Sequence, residues 1–218
     1  MIGEILPDVV ASAEAFGDPP GAALFPAEEA MIARAVQKRR LEFTTGRHCA
    51  RTALGALGVA PAPILRGQAG APQWPTGIVG SITHCAGYRA AAVARVGQLR
   101  AIGLDAEPAQ PLPGEVLGLV ALPGERARLR DLAAAAPGVC WDRLLFSAKE
   151  SAYKAWFPLA RRWLGFADAD ITINAAGGTF LVRLLIAPPE STGVPAAGFS
   201  GRWLSRDGMI LTAITVPA

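Results

Sequence analysis

Lysine is nearly missing from this sequence: only Lys38, Lys149 and Lys154 stand among 21 basic residues, and the other eighteen are arginine. Arginine does not give up its proton in a protein, so among the lysines and arginines only those three lysines can act as proton donors. Cysteine is scarce and odd in number. Cys49, Cys85 and Cys140 are widely spaced, which excludes a disulfide framework or a zinc ribbon and fits a reducing compartment. The dipeptides His48-Cys49 and His84-Cys85 do not make a Cys2His2 site, because neighbouring side chains in regular structure point apart. Long apolar runs are lacking too. The uncharged stretch from Gly67 to Tyr88 is broken by Pro72, Gln73, Pro75 and several glycines, so no membrane span is expected. Glu4 and Asp8 stand where a secretory leader would be basic, and a cytoplasmic protein is expected.

The most informative absence is that of carboxylates. None occurs from Phe43 to Leu104, while Arg47, Arg51, Arg66, Arg89, Arg95 and Arg100 all fall there, inside a chain of net charge only +3. Residues 1–42 are acidic by −3 and residues 105–218 are balanced. Such a stretch suits a polyanion. A nucleic acid is disfavoured because aromatics are not interleaved with the arginines and no binding motif is present.

At 218 residues and 51% hydrophobic composition the chain can bury a substantial core. Pro26-Ala27-Glu28-Glu29 predicts a helix start running to about Glu42, interrupted by Thr44-Thr45-Gly46, with a second helix ending at Gly58. Strands are predicted at 78–83, 88–96 and 101–105. Helices follow at 115–121, 125–136 and within 141–159, then strands near 170–174 and 179–186. A Pro- and Gly-rich break at 187–198 precedes a hairpin of 201–205 and 209–216 turning on Arg206-Asp207-Gly208. Helices then strands, twice, give two α+β halves, although no sequence repeat accompanies them.

Three motifs carry chemistry. In Ile102-Gly103-Leu104-Asp105-Ala106-Glu107, the two acids share one face of a strand, as Mg²⁺ ligands or as a solvated strand end. In Phe146-Ser147-Ala148-Lys149-Glu150-Ser151-Ala152-Tyr153-Lys154, Ser147 and Glu150 have capping-box spacing and Glu150 and Lys154 have ion-pair spacing. The alternative is a reactive helix face, since it gathers two of the three lysines. Arg39, Arg47, Arg66 and His84 could converge on phosphates or be ordinary solvated charges.

Taken in order, Gly80-Ser81-Ile82-Thr83-His84-Cys85 and these two carboxylate-bearing motifs resemble the signatures of the 4′-phosphopantetheinyl transferases. Lys38 to Phe43, Gly46 to Arg51, Pro63 to Gly67 and Trp74-Pro75 resemble the surfactin/enterobactin-synthetase type, especially its actinobacterial branch. The resemblance implies a pseudo-dimer of two similar α/β halves, 1–100 and 101–218, with coenzyme A in the cleft between them. It implies transfer of 4′-phosphopantetheine from coenzyme A to a serine of an apo acyl or peptidyl carrier protein, with release of adenosine 3′,5′-bisphosphate by a monomer. Asp105, Glu107 and Glu150 would hold Mg²⁺ or Mn²⁺. Arg39, Arg47, Arg66, Gly67, Thr83, His84, Lys149 and Lys154 would bind coenzyme A, and Glu150 and Lys154 would be catalytic. Arg66 departs mildly from the pattern, which often has Lys there. Tyr153, Trp163 and Leu164 would wall the pantetheine arm or simply pack the core. The competing readings are a Mg²⁺-dependent phosphoesterase acting on coenzyme A or a related nucleotide, and a non-catalytic coenzyme A-binding protein.

Overall fold

The computed structural model describes residues 1–189 and 193–218 as an α+β protein with two antiparallel sheets. The first sheet has the order β1-β3-β2, with β1 at Ala11–Phe16, β2 at Ile78–Cys85 and β3 at Tyr88–Arg95. The second has the order β4-β8-β7-β6-β5, with β4 at Leu99–Pro108, β5 at Ala169–Asn174, β6 at Thr179–Leu184, β7 at Phe199–Arg206 and β8 at Met209–Pro217. Each sheet carries one twenty-residue helix: α2 (Gln37–Ala56) on the first and α5 (Trp141–Ala160) on the second. Strand, long helix and closing hairpin therefore recur in the same order and with the same pairing. Both hairpins turn on a glycine with positive φ, Gly87 and Gly208. The second half adds the β5–β6 hairpin, α3 (Gly114–Val120) and α4 (Pro123–Ala135).

Period-two alternation makes this a four-layer molecule, helix on sheet on sheet on helix. On β3, Ala91 and Val93 face α2, while Tyr88, Ala90, Ala92 and Ala94 face the second sheet. On β8, Ile210, Ile214 and Val216 lie in the cluster under α5, and Leu211 and Ala213 meet the first sheet. Trp156, Leu144 and Leu145 of α5 are essentially inaccessible, and full burial of each contributes roughly 1.5–3 kcal/mol. The sheets also touch at their edges, where Ser81 Oγ of β2 accepts from the Leu104 amide of β4 at 3.0 Å.

Several predicted boundaries move. The first helix, α1, spans only Pro26–Met31, and the break falls before Gln37; Thr44-Thr45-Gly46 lies within α2. Thr45 donates to Asp18, and Gly46 lets α2 approach Ile82 of β2, so the glycine serves close packing instead of a stop. Strand β1 was not expected; half of its six residues are alanine, a weak strand former. The break at 187–198 includes residues 190–192, which lie outside the described residues. No helix among the described residues is long and apolar enough to cross a membrane.

Candidate active site

The alternation that buries Ile102, Leu104 and Ala106 between the sheets turns Asp105 and Glu107 the other way, toward α5. Gly103 makes the approach possible: a Cβ there would stand 1.9 Å from the Ser151 carbonyl oxygen. Strand and helix thus meet backbone to backbone, which brings Glu150 of α5 into the field of Asp105. Burial, followed by the Asp105 charge, raises the Glu150 pKa above the ordinary carboxylate value, against the pull of Lys154. Glu107 is raised in the same way, by burial and then Asp105, with Arg143 opposing.

Two cations hold this acidic cluster together. Lys154 Nζ is 2.8 Å from Asp105 Oδ1, and Arg143 Nη1 donates to Glu107 Oε2 at 2.9 Å. The spacing of Glu150 and Lys154 had suggested an intrahelical pair, but the ion pair of Lys154 crosses to the strand. The capping-box reading also fails, because Ser147 lies inside α5 with its hydroxyl 2.9 Å from that of Thr212. Asp105 Oδ2 is buried without a partner among the described residues, as is the Thr83 hydroxyl. No group of three or more His, Cys, Asp or Glu side chains among the described residues is arranged to hold a metal ion. Cys85, at the end of β2, senses the same charges: burial, then Glu107 and Asp105, pushes its thiol up to about 12.

Along the seam between the halves runs a groove of about 990 Å³. One wall carries Arg39, Arg47, Arg66, Gly67 and His84, and another carries Tyr153, Lys154 and Phe157. Arg47 is 6% exposed, lies 4.0 Å over the Phe43 ring and donates to the Ile64 carbonyl. Arg66 approaches the same ring at 5.3 Å. Burial lowers the Arg47 pKa to about 10; Glu28 opposes the shift and Arg66 and Arg39 add to it. Arg39 Nη1 donates to His84 Nε2 at 2.7 Å, so the neutral ring carries its proton on Nδ1, facing Glu42 at 3.7 Å. Burial and the adjacent Arg39 depress the His84 pKa.

The structure therefore gathers Arg39, Arg47, Arg66, Gly67 and His84 at the groove and Asp105, Glu107, Glu150 and Lys154 at one cluster. Lys149 does not join either group. Its side chain turns away from the groove, pairs with Glu125 at 2.8 Å and donates to the carbonyls of Phe166 and Ala169. The reason is helical geometry, since Lys149 lies about 100° around α5 from Glu150. Three participants escaped the sequence reading: Phe43 as the platform for two guanidiniums, Arg143 as the partner of Glu107, and Glu28. Glu28 is fully buried, pairs with Arg51 at 2.9 Å and accepts from the Ile64 amide, anchoring the loop that leads to Arg66. A signal for Arg143 did exist in its position seven residues, two helical turns, before Glu150.

The chain resembles known proteins over essentially its whole length. A family model described as the 4′-phosphopantetheinyl transferase N-terminal domain matches residues 27–94, and one described as the 4′-phosphopantetheinyl transferase superfamily matches residues 101–194. The chain is 51% identical to 4′-phosphopantetheinyl transferase Svp of Streptomyces mobaraensis, over 100% of this chain and 90% of that protein. It is 50% identical to 4′-phosphopantetheinyl transferase PptT of Mycobacterium tuberculosis, over 99% and 98% of the two chains. Enterobactin synthase component D of Salmonella typhimurium is 32% identical over 82% of this chain and 73% of its own. The chain belongs to the 4′-phosphopantetheinyl transferase superfamily, enzymes that move the phosphopantetheine group of coenzyme A onto carrier proteins.

Proposed function

We propose that this chain transfers 4′-phosphopantetheine from coenzyme A to a serine hydroxyl of an apo acyl or peptidyl carrier protein, releasing adenosine 3′,5′-bisphosphate. The observation that carries this reading is one groove with Arg47 and Arg66, which form no carboxylate salt bridge among the described residues, on one wall and Lys154 beside an acidic cluster on the other. A cytoplasmic monomer of two pseudo-equivalent halves, 1–100 and 101–218, fits the reading.

Arg39, Arg47, Arg66 and His84 bind the phosphates of coenzyme A, with Gly67 and Thr83 beside them. The Arg47 guanidinium, already desolvated on Phe43, forfeits little water when a phosphate arrives, which strengthens the contact. A divalent cation, Mg²⁺ or Mn²⁺, would be held by Asp105, Glu107 and Glu150, which the described residues do not already arrange as a ligand set; the repulsion of Asp105 on both glutamates and its buried, unpartnered oxygen favour positive charge there. When bound, it would supply charge neutralisation at the pyrophosphate.

The serine oxygen forms a bond to the β-phosphorus as the bond from that phosphorus to the adenosine-side phosphate oxygen breaks. Glu150 accepts the serine proton, and its raised pKa makes it the better base. Lys154 donates a proton to the departing phosphate oxygen. Mass spectrometry of an apo carrier domain, after incubation with the purified chain, coenzyme A and Mg²⁺, tests the proposal. The carrier gains one phosphopantetheine; no gain across several carriers overturns it.

A further inference from the structure

Lys149 is 3% exposed and Glu125 is 1% exposed. All three ammonium protons of Lys149 have an acceptor: Glu125 Oε2 at 2.8 Å, the Phe166 carbonyl at 2.7 Å and the Ala169 carbonyl at 2.9 Å. Both Glu125 oxygens are likewise engaged, Oε1 by the Ile171 amide and Oε2 by the Leu122 amide, each at 2.7 Å. This closed network ties α5 to the start of α4, to the short 3-10 turn Phe166–Asp168 and to β5.

A buried ion pair is a poor source of stability, because apolar residues of similar volume often replace it at no loss. Direction is what it supplies. An apolar contact tolerates sliding and rotation of a helix, whereas a lysine with three fixed acceptors does not. Lys149 adjoins Glu150 and precedes Lys154 by five residues, so the rotation and axial position of α5 at Lys149 set where both of those side chains reach β4. On the opposite face, Gly103 allows α5 no gap at all, and a shifted helix would collide with the strand backbone.

We infer that the buried Glu125–Lys149 pair is a positioning device for the transfer reaction, holding α5 in the register that presents Glu150 and Lys154 to the groove. Lys149 acts here without touching coenzyme A. The inference rests on the proposed transfer reaction, and both residues lie outside the groove.

The test replaces both members together, Glu125→Met with Lys149→Met, so that no unpaired charge stays buried. The double variant and the parent chain are compared with coenzyme A, Mg²⁺ and one apo carrier. The variant melts below the parent, because the Leu122 and Ile171 amides and the Phe166 and Ala169 carbonyls lose their side-chain partners. At a temperature where both proteins are folded it binds coenzyme A with unchanged affinity by calorimetry, while kcat falls about ten- to a hundredfold, the scale of a small misplacement of reacting groups. A kcat equal to the parent's overturns the inference, as does a loss confined to KM. A parent that transfers nothing overturns the reaction itself and the inference with it. Glu125→Gln keeps the size and removes the charge, and it reads the same split in kcat and KM should the double variant unfold below the assay temperature.

Discussion

Helices α2 and α5 hold equivalent places in the two halves, equal in length and each laid on a strand that pairs with the last strand of its own sheet. What lies beneath them differs completely. Phe16 pairs with Tyr88 just as Pro108 pairs with Met209, each opposite the first residue after a hairpin turn. Counting back from those positions sets Ala13 and Ala15 of β1 against Asp105 and Glu107 of β4. Ala13 and Ala15 pack under α2 as part of an apolar cluster. One scaffold therefore fills its strand–helix seam with methyl groups and the other fills it with carboxylates. The first half places its charges on the groove side as crowded guanidiniums, and the second keeps crowded carboxylates. Each half is electrostatically uncomfortable alone, since burial lowers Arg47 in one and raises Glu107 and Glu150 in the other. A polyanion would relieve the first and a cation the second, which is the pairing that coenzyme A and the proposed divalent metal would supply.

The acidic half should break most completely. Glu150→Gln keeps the shape of the side chain and removes its basicity, and turnover is expected to fall about 10²- to 10⁴-fold with little change in coenzyme A binding. Arg47→Ala should leave chemistry intact and weaken coenzyme A binding by about 1.5–3 kcal/mol, the worth of a hydrogen bond to a charged group. A Michaelis constant for coenzyme A that does not move would count against a phosphate at Arg47.

The same contrast has a pH signature. A carboxylate whose folded pKa lies above its ordinary value of 4.5 binds protons more tightly when folded, so its contribution to stability is full at low pH. That contribution is lost as pH rises from about 4.5 through the folded values of Glu107 and Glu150. Mg²⁺ favours the deprotonated forms and should raise the melting midpoint by a few degrees, more at pH 7.5 than at pH 5. An equal shift at both values would show that the cation binds elsewhere.

Much of this was legible in the sequence because two periodicities and one charge void are visible without tertiary knowledge. Strand alternation put Asp105 and Glu107 on one face, and the void from Phe43 to Leu104 marked the arginine wall. Tertiary partners decided the rest. Strand β1 is half alanine, a weak strand former, yet Glu14 finds the Tyr88 hydroxyl and the Ile2 amide and the strand pairs with β3. Lys149 looked like a phosphate ligand beside Glu150, and only the position of Glu125, twenty-four residues earlier, reveals its other engagement.

The smallest effect is expected where the two helices are compared position by position. Gly46 is the tenth residue of α2, as Glu150 is of α5. A Cβ at Gly46 would meet only the Ile82 Cγ2 methyl at 3.1 Å, a side-chain tip that can give by a few tenths of an ångström. Removing a glycine from a helix interior is worth about 0.8–1 kcal/mol in favour of alanine. The two terms nearly cancel, so Gly46→Ala should shift stability by less than about 1 kcal/mol in denaturant titration and leave transfer unchanged. A large loss would mean that α2 is as tightly pressed to its sheet as α5 is at Gly103, and that the halves share a packing constraint as well as a topology.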